Sequence, residues 1–252
     1  MDNNILLLEY PVPGVALLRI NRPTVRNALN LALRRELARQ FSELGSREEV
    51  QAIILTGDEK AFCAGADLNE YVEATPVEIA SRNMHLLWGA IANCPKPVIA
   101  AVNGYALGGG CELAMHADII VAGMSAVFGQ PEVKVGLIPG GGATQRLSRA
   151  IGKFAAMRLL MTGANLGAAE ARTLGLISTL VEDEQVIPEA LKIAQEIAAQ
   201  PAFAIRQIKE LVLESMNASL ETGLRQERKA FQLMFSTPEK TERIRRFLAK
   251  KR

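Results

Sequence analysis

Pro97-Val-Ile-Ala-Ala-Val-Asn-Gly-Tyr-Ala-Leu-Gly-Gly-Gly-Cys-Glu112-Leu-Ala-Met115 carries the densest information in this 252-residue chain. It opens with a short, branched, apolar run, Val98–Val102, of the kind that forms a buried strand. A glycine-rich turn, Gly104–Gly110, follows, and then a short helical stretch with Glu112 in its first turn. Strand, glycine turn and helix make up the repeating unit of an α/β fold. Glycine at Gly108-Gly109-Gly110 permits positive φ and lets backbone approach a ligand closely. The helix that starts there offers free N–H groups and the positive end of its dipole. Two such N–H groups converging on one point form an oxyanion hole, which stabilises charge developing on a carbonyl oxygen. The same turn serves equally well for tight strand–helix packing.

Outward from this stretch, the first half alternates brief strands with helices. Ile5–Glu9, Val15–Ile20 and Ala52–Thr56 read as strands bounded by Pro, Gly or Asn. Asn30–Leu44 reads as a helix, with Leu33, Leu37, Phe41 and Leu44 at helical spacing, and so does Glu78–Asn93. A further strand pair is expected at Ile119–Ala122 and Ala126–Phe128. From Gly141 onward the pattern turns almost wholly helical: Ala143–Ile151, Lys153–Met161, Val186–Gln200, Pro201–Asn217, Leu220–Phe235, and a last helix opened by Thr237-Pro238, a good start signal. No linker-like stretch separates the halves. The expected organisation is an α/β core over residues 1–195 and a helical C-terminal region over residues 196–252.

Composition narrows the function. Hydrophobic residues make up 49% and charged residues 22%, an ordinary globular balance. With 29 basic and 27 acidic residues there is no global field for nucleic acid or membrane, so any anion site must be local. Cys63, Cys94 and Cys111 are odd in number and widely spaced, which fits a reducing compartment better than a disulfide framework. With only His85 and His116 beside them, no zinc-type spacing exists. The N-terminus lacks a basic n-region, and no apolar run reaches the ~20 residues of a membrane span. A cytoplasmic protein is expected.

Two other glycine clusters, around Gly65 and over Gly136–Gly142, are not phosphate loops, because Gly152-Lys153 is followed by Phe154 and no G-x-G-x-x-G opens a helix after the first strand. The acids are more telling. Glu112 lies among small and apolar residues, where an unpaired carboxylate is costly, and Glu132 follows Pro131 after the next expected strand. Both acids suit helix N-termini. Two acids beside one oxyanion site also supply what coupled proton transfer at carbon and oxygen requires.

The quoted stretch resembles the signature of the enoyl-CoA hydratase/isomerase (crotonase) family. So do Asn21-Arg22-Pro23 with Asn27-Ala28-Leu29, Ala61–Leu68 (Ala-Phe-Cys-Ala-Gly-Ala-Asp-Leu), and Phe128-Gly-Gln-Pro-Glu132 through Thr144-Gln-Arg-Leu147. The likeness runs over nearly the whole chain, in order and with family spacing. It implies a spiral of ββα units with a helical C-terminal region, assembled as a trimer or a dimer of trimers. It implies an acyl-CoA substrate and no metal or redox cofactor; the near-balanced charge already argues against a nucleic-acid or membrane partner.

Carried over residue by residue, the resemblance gives Ala66 and Gly109 the two oxyanion-hole amides, and Glu112 and Glu132 the acid–base pair. Arg26, Ala28, Ala64, Ala66, Asp67, Leu68 and Gly109 become the expected CoA and substrate contacts. Phe247 and Lys250 are expected to reach the CoA of a neighbouring subunit, although a solvated basic tail is an equal reading of the terminus. Possession of both acids favours hydration of a 2-enoyl-CoA to the 3-hydroxyacyl-CoA. The alternatives are a Δ3–Δ2-enoyl-CoA isomerase working on one carboxylate and, from another class, an RNA-binding relative. The latter needs a basic, aromatic-bearing stripe, and only 5% of residues are aromatic. Tyr71, Met84, Trp88 and Leu137 are pocket candidates by position. The Arg26-Asn-Ala-Leu-Asn30 start resembles hydratases acting on dehydroadipyl-CoA, but a dicarboxylic acyl chain needs a pocket cation that the sequence does not identify.

Overall fold

Three successive strand pairs in the middle of the chain each send their first strand to one sheet and their second to another. The computed structural model describes residues 4–249. In chain order it contains β1 (Leu6–Val12), β2 (Val15–Ile20), α1 (Leu31–Ser46), β3 (Ala52–Thr56), β4 (Ala61–Cys63), α2 (Pro76–Ser81), α3 (Met84–Ala92), β5 (Val98–Val102), β6 (Tyr105–Leu107), α4 (Gly109–Met115), β7 (Ile119–Gly123) and β8 (Val127–Gly129). There follow α5 (Ala143–Ile151), α6 (Lys153–Thr162), β9 (Asn165–Gly167), α7 (Ala168–Leu174), β10 (Thr179–Val181), α8 (Val186–Ala198), α9 (Ala202–Ser215), α10 (Leu220–Met234) and α11 (Pro238–Ala249). The large sheet runs β1-β2-β3-β5-β7-β10, and the small one β4-β6-β8-β9. From β2 to β10 the large sheet is parallel. The chain therefore advances one strand in both sheets per unit, which is the spiral that the resemblance implies.

The parallel strands are buried on both faces, so they read as continuous apolar runs rather than alternating ones. In β3, Ile53 and Leu55 face the main core with Phe41, Phe62 and Phe128, while Ala52 and Ile54 face a second core closed by Val186, Ala190 and Ala194 of α8. α1 begins where Asn30 Oδ1 accepts the Leu33 N–H at 2.9 Å and buries Leu33, Leu37, Phe41 and Leu44.

Several expectations need correction. The helix over Glu78–Asn93 is two helices, α2 and α3, broken at Asn83, whose φ is +48°. Thr75 and Glu78 form a capping box that starts α2 early. The strands at 119–122 and 126–128 do not pair with each other, because β7 joins the large sheet and β8 the small one. The region beyond Gly141 also holds β9, β10 and α7, which close the edges of both sheets. The expected boundary at residue 196 falls inside α8. The last helix covering the sheet is α8, and the change of character comes at Pro201, since α9, α10 and α11 bury no residue within the chain.

Candidate active site

Two loops meet at the N-terminus of α4. The loop before α1 is fastened by the buried Asn27, whose Oδ1 accepts the Arg22 N–H at 2.9 Å and whose Nδ2 donates to the Ala61 carbonyl at 2.8 Å. It is zipped to the loop after β4 by three backbone bonds: Leu29 N to Gly65 O at 2.7 Å, Asp67 N to Leu29 O at 3.0 Å, and Ala64 N to Arg26 O at 3.0 Å. This zipper uses the amides on either side of Ala66 and leaves the Ala66 N–H without an acceptor among the described residues.

Gly109 is the first residue of α4, where an N–H has no helical acceptor. A Cβ placed on Gly109 would lie 3.7 Å from Ala66 N, so the two free amides are neighbours. The turn that aims Gly109 needs Gly108, at φ +50° and ψ −124°, a conformation that glycine adopts at least cost. A side chain there would also meet Glu132 Oε1 at 2.8 Å.

Glu112 is 3% exposed. Its Oε1 accepts the Gly141 N–H at 2.7 Å and the Ala143 N–H at 3.0 Å. Ala143 acts through its backbone, which accommodates a methyl at that position. Burial raises the Glu112 pKa, and the two amides work against the rise. A Cβ on Gly141 would fall 2.7 Å from Glu112 Oε2 and 2.8 Å from the Trp88 ring. Trp88 in turn stacks on His116 with centroids 4.9 Å apart. His116 Nδ1 is 2.7 Å from the Glu112 carbonyl. Burial, then the charge of Arg146, lowers its pKa to about 4, so the ring is neutral and Nδ1 donates to that carbonyl.

Glu132 sits in a short 3₁₀ turn after Pro131, half-buried. Its pKa is raised to about 7, first by burial and also by the charge of Glu112. The Gln130 carboxamide, turned with its nitrogen toward the acid, donates to both carboxylate oxygens at 3.1 Å. Gln130 is itself 1% exposed. The site thus holds two free amides and two acids whose surroundings push both toward neutrality.

The structure brings Arg26, Ala28, Ala64, Ala66, Asp67, Leu68 and Gly109 to one rim, on the two zipped loops and the start of α4. Arg26 is exposed, with its guanidinium 5.7 Å from the Tyr105 ring centroid. Arg22 is no surface charge: it reaches Asp67 Oδ2 at 3.4 Å and donates to the Ala28 carbonyl. Phe247 lies in the last turns of α11, and Lys250 lies outside the described residues. Tyr71, Met84 and Trp88 gather around Arg34, a buried residue of α1. Leu137 is largely exposed.

Sequence reading missed Arg34 and Gln130. Arg34 occupies a position in the apolar stripe of α1, and that misfit of charge and periodicity was the available signal. A surface groove between α1 and α3, lined by Phe41, His85, Gly89 and Cys94, contains none of the site residues. Among the described residues no three His, Cys, Asp or Glu side chains gather as metal ligands would.

The chain matches the enoyl-CoA hydratase/isomerase family model over residues 12–252. It is 46% identical to a probable mitochondrial enoyl-CoA hydratase of Dictyostelium discoideum, over 94% of this chain and 86% of that one. It is 45% identical to a probable enoyl-CoA hydratase of Rhizobium meliloti, over 100% and 98% of the two chains. Its fold superposes on a solved enoyl-CoA hydratase subunit of Geobacillus kaustophilus with a TM-score of 0.95, at 38% identity over 98% and 95% of the chains. By fold, motif order and full-length similarity, this chain belongs to the enoyl-CoA hydratase/isomerase family.

Proposed function

We propose that the protein is an enoyl-CoA hydratase, adding water syn across the 2,3 double bond of a 2-enoyl-CoA to give a 3-hydroxyacyl-CoA. The observation that carries this reading is the meeting of two unsatisfied amides with two acids of raised pKa at one place. The Ala66 and Gly109 N–H groups take the thioester oxygen and draw electron density from the double bond, leaving C3 electrophilic. One such donor contributes ~10²–10³ in rate. Glu112, whose ionised form the two amides on Oε1 favour against the effect of burial, accepts through Oε2 a proton from the water that attacks C3. Glu132, neutral up to about pH 7, delivers its proton to C2. Hydration needs one acid charged and the other neutral at the same moment, and their unequal hydrogen bonding supplies that difference.

The supporting arrangement calls on backbone and side chains of this chain without a metal or redox cofactor. On the same reading the rim residues Arg26, Ala28, Ala64, Asp67 and Leu68 take the CoA. Phe247 and Lys250 act from a neighbouring protomer of a trimer or a dimer of trimers. Three buried, unpaired cysteines suit a cytoplasmic location.

Loss of the ultraviolet absorbance of the conjugated thioester tests the function directly. Glu112→Gln and Glu132→Gln should each lower kcat by about 10²–10⁴, the usual contribution of a general acid or base. If Glu112→Gln turns over normally while the double bond migrates between the 3,4 and 2,3 positions, one proton moving between C4 and C2, the one-carboxylate isomerase replaces the hydratase.

A further inference from the structure

Arg34 is out of keeping with its helix. The inward stripe of α1 is otherwise apolar, Leu33, Leu37, Ala38, Phe41 and Leu44, yet Arg34 is only 7% exposed. A charge withdrawn from water is costly unless a partner of opposite sign receives it. No carboxylate lies within ion-pair distance of it among the described residues. Nη1 donates to the Tyr71 hydroxyl at 2.8 Å and faces Met84 Sδ at 3.8 Å. The guanidinium carbon stands 6.0 Å from the Tyr71 ring centroid and 5.9 Å from that of Trp88. Nε is buried with no acceptor at all. Every neighbour within bonding reach is neutral, and the fork is incompletely used.

Its unsatisfied side faces the reaction site. Nη2 lies 3.9 Å from where a Cβ on Gly109 would stand, beside the amide pair. The Arg34 charge is also felt at Glu112. Trp88, which bounds the guanidinium on one side, bounds Glu112 on the other. A fixed positive charge therefore stands in the wall of the space between the oxyanion amides and the catalytic acids.

We infer that Arg34 and Tyr71 form a carboxylate-binding subsite, and that the preferred substrates are short 2-enoyl-CoA thioesters whose acyl chain ends in a carboxylate. The inference rests on the hydratase reading and names its substrate class. A guanidinium meets a carboxylate with two parallel N–H donors. The Tyr71 hydroxyl accepts from Nη1 and so keeps its own proton to donate to the incoming anion. Met84 and Trp88 offer apolar surface to the intervening carbons. An alkyl terminus would leave the buried guanidinium without any compensating acceptor, which disfavours the plain fatty-acyl chain. Because Nη2 is close to Gly109, the anionic end must lie within a few carbons of the thioester.

The test compares kcat/KM for crotonyl-CoA and 2-hexenoyl-CoA with that for their dicarboxylic counterparts, glutaconyl-CoA and 2,3-dehydroadipyl-CoA. The enzymes are the wild type, Arg34→Lys and Arg34→Met. The wild type should favour at least one carboxylated substrate by about tenfold or more, the scale of a charge-assisted pair. Arg34→Met should collapse that ratio through KM, and Arg34→Lys should restore part of it. A wild type that prefers the uncarboxylated chains overturns the subsite while leaving hydration intact. So does an Arg34→Met variant that lowers all four rates in proportion, which marks Arg34 as a general positioning residue. A wild type that hydrates none of the four sinks the hydratase reading, and the subsite with it. Should Arg34→Met fail to fold, the wild-type ratio and the Lys variant still decide.

Discussion

At the scale of single residues, the two acids differ in their burial and in the kind of donor aimed at them. Glu112 has two backbone donors on one oxygen, and Glu132 has a half-open pocket and the Gln130 amide. Burial raises both, and Glu132 to about 7. For a chain that needs Glu112 ionised and Glu132 protonated, kcat/KM must fall on the alkaline side through about 7. The acid limb must lie above the ordinary 4.5 of Glu112. Stability has the same origin. A carboxyl whose folded pKa exceeds its unfolded value contributes stability that is full below the unfolded pKa and is lost as pH rises through the folded one. For Glu132 that window runs from 4.5 to about 7. Glu132→Gln removes the charged form and should unfold later than the wild type at about pH 8, with no such advantage at about pH 4. Screened by the solvent that reaches a half-buried acid, the difference is about 1 kcal/mol, or about 2–4 °C for a domain of this size. Thermal melts of both proteins at the two pH values read it directly, and equal shifts with pH would remove Glu132 as the source. The sequence indicated these acids by their company, small residues before Glu112 and Pro131 before Glu132, but their unequal surroundings come from Gly141, Ala143 and Gln130, which only folding brings near.

At the scale of elements, the site is a junction, and its fastening is Asn27. This residue holds φ +59° and ties the loop before α1 to β4 through Ala61 and to Asp58 at 3.1 Å. Asn27→Ala leaves the Arg22 N–H without its acceptor and puts alanine in a left-handed conformation that asparagine tolerates better. The expected cost is about 3 kcal/mol. Activity should fall further than stability alone accounts for, because the Leu29–Gly65 zipper that aims the Ala66 amide hangs from this loop. Urea unfolding and kcat/KM measured on the same preparations check both; unchanged activity in a destabilised variant would detach the loop from the site. Elements of this kind differ in legibility. β3 and β5 could be read to the residue from apolar runs, because both their faces are buried. β4, β6 and β9 span three residues each and are strands only because neighbours in the small sheet receive them, so no local periodicity announces them. The break at Asn83 was equally hidden, since the apolar spacing continues across it. Arg34 was visible but unreadable: a charge in an apolar stripe has meaning only once Tyr71, Trp88 and Gly109 surround it.

For the whole molecule, the balance of buried surface is uneven. The spiral buries its strands on both faces, while no residue of α9, α10 or α11 joins the core. Yet those helices are not polar. Ile208 and Val212 of α9 and Met216 at its C-cap follow one another at intervals of about one helical turn, and Leu220, Leu224 and Phe231 of α10 share a face with Phe235 at its C-cap. Phe231 and Phe235 already pack edge to face, with centroids 5.2 Å apart. Each large apolar side chain left in water forgoes about 1.5–3 kcal/mol, and a run of them along two helices is the kind of surface that a neighbouring protomer would cover. The expected state is three or six copies of the 27.3 kDa chain, with these stripes covered by neighbouring protomers. Leu224→Arg combined with Phe231→Arg places two charges in that contact and should shift the light-scattering mass to the protomer. Hydratase activity should fall with assembly, as the proposal that a neighbour's last helix completes the CoA site requires. A wild type that scatters as a single chain and retains full turnover would leave the apolar stripes without an occupant and remove the neighbour from the site.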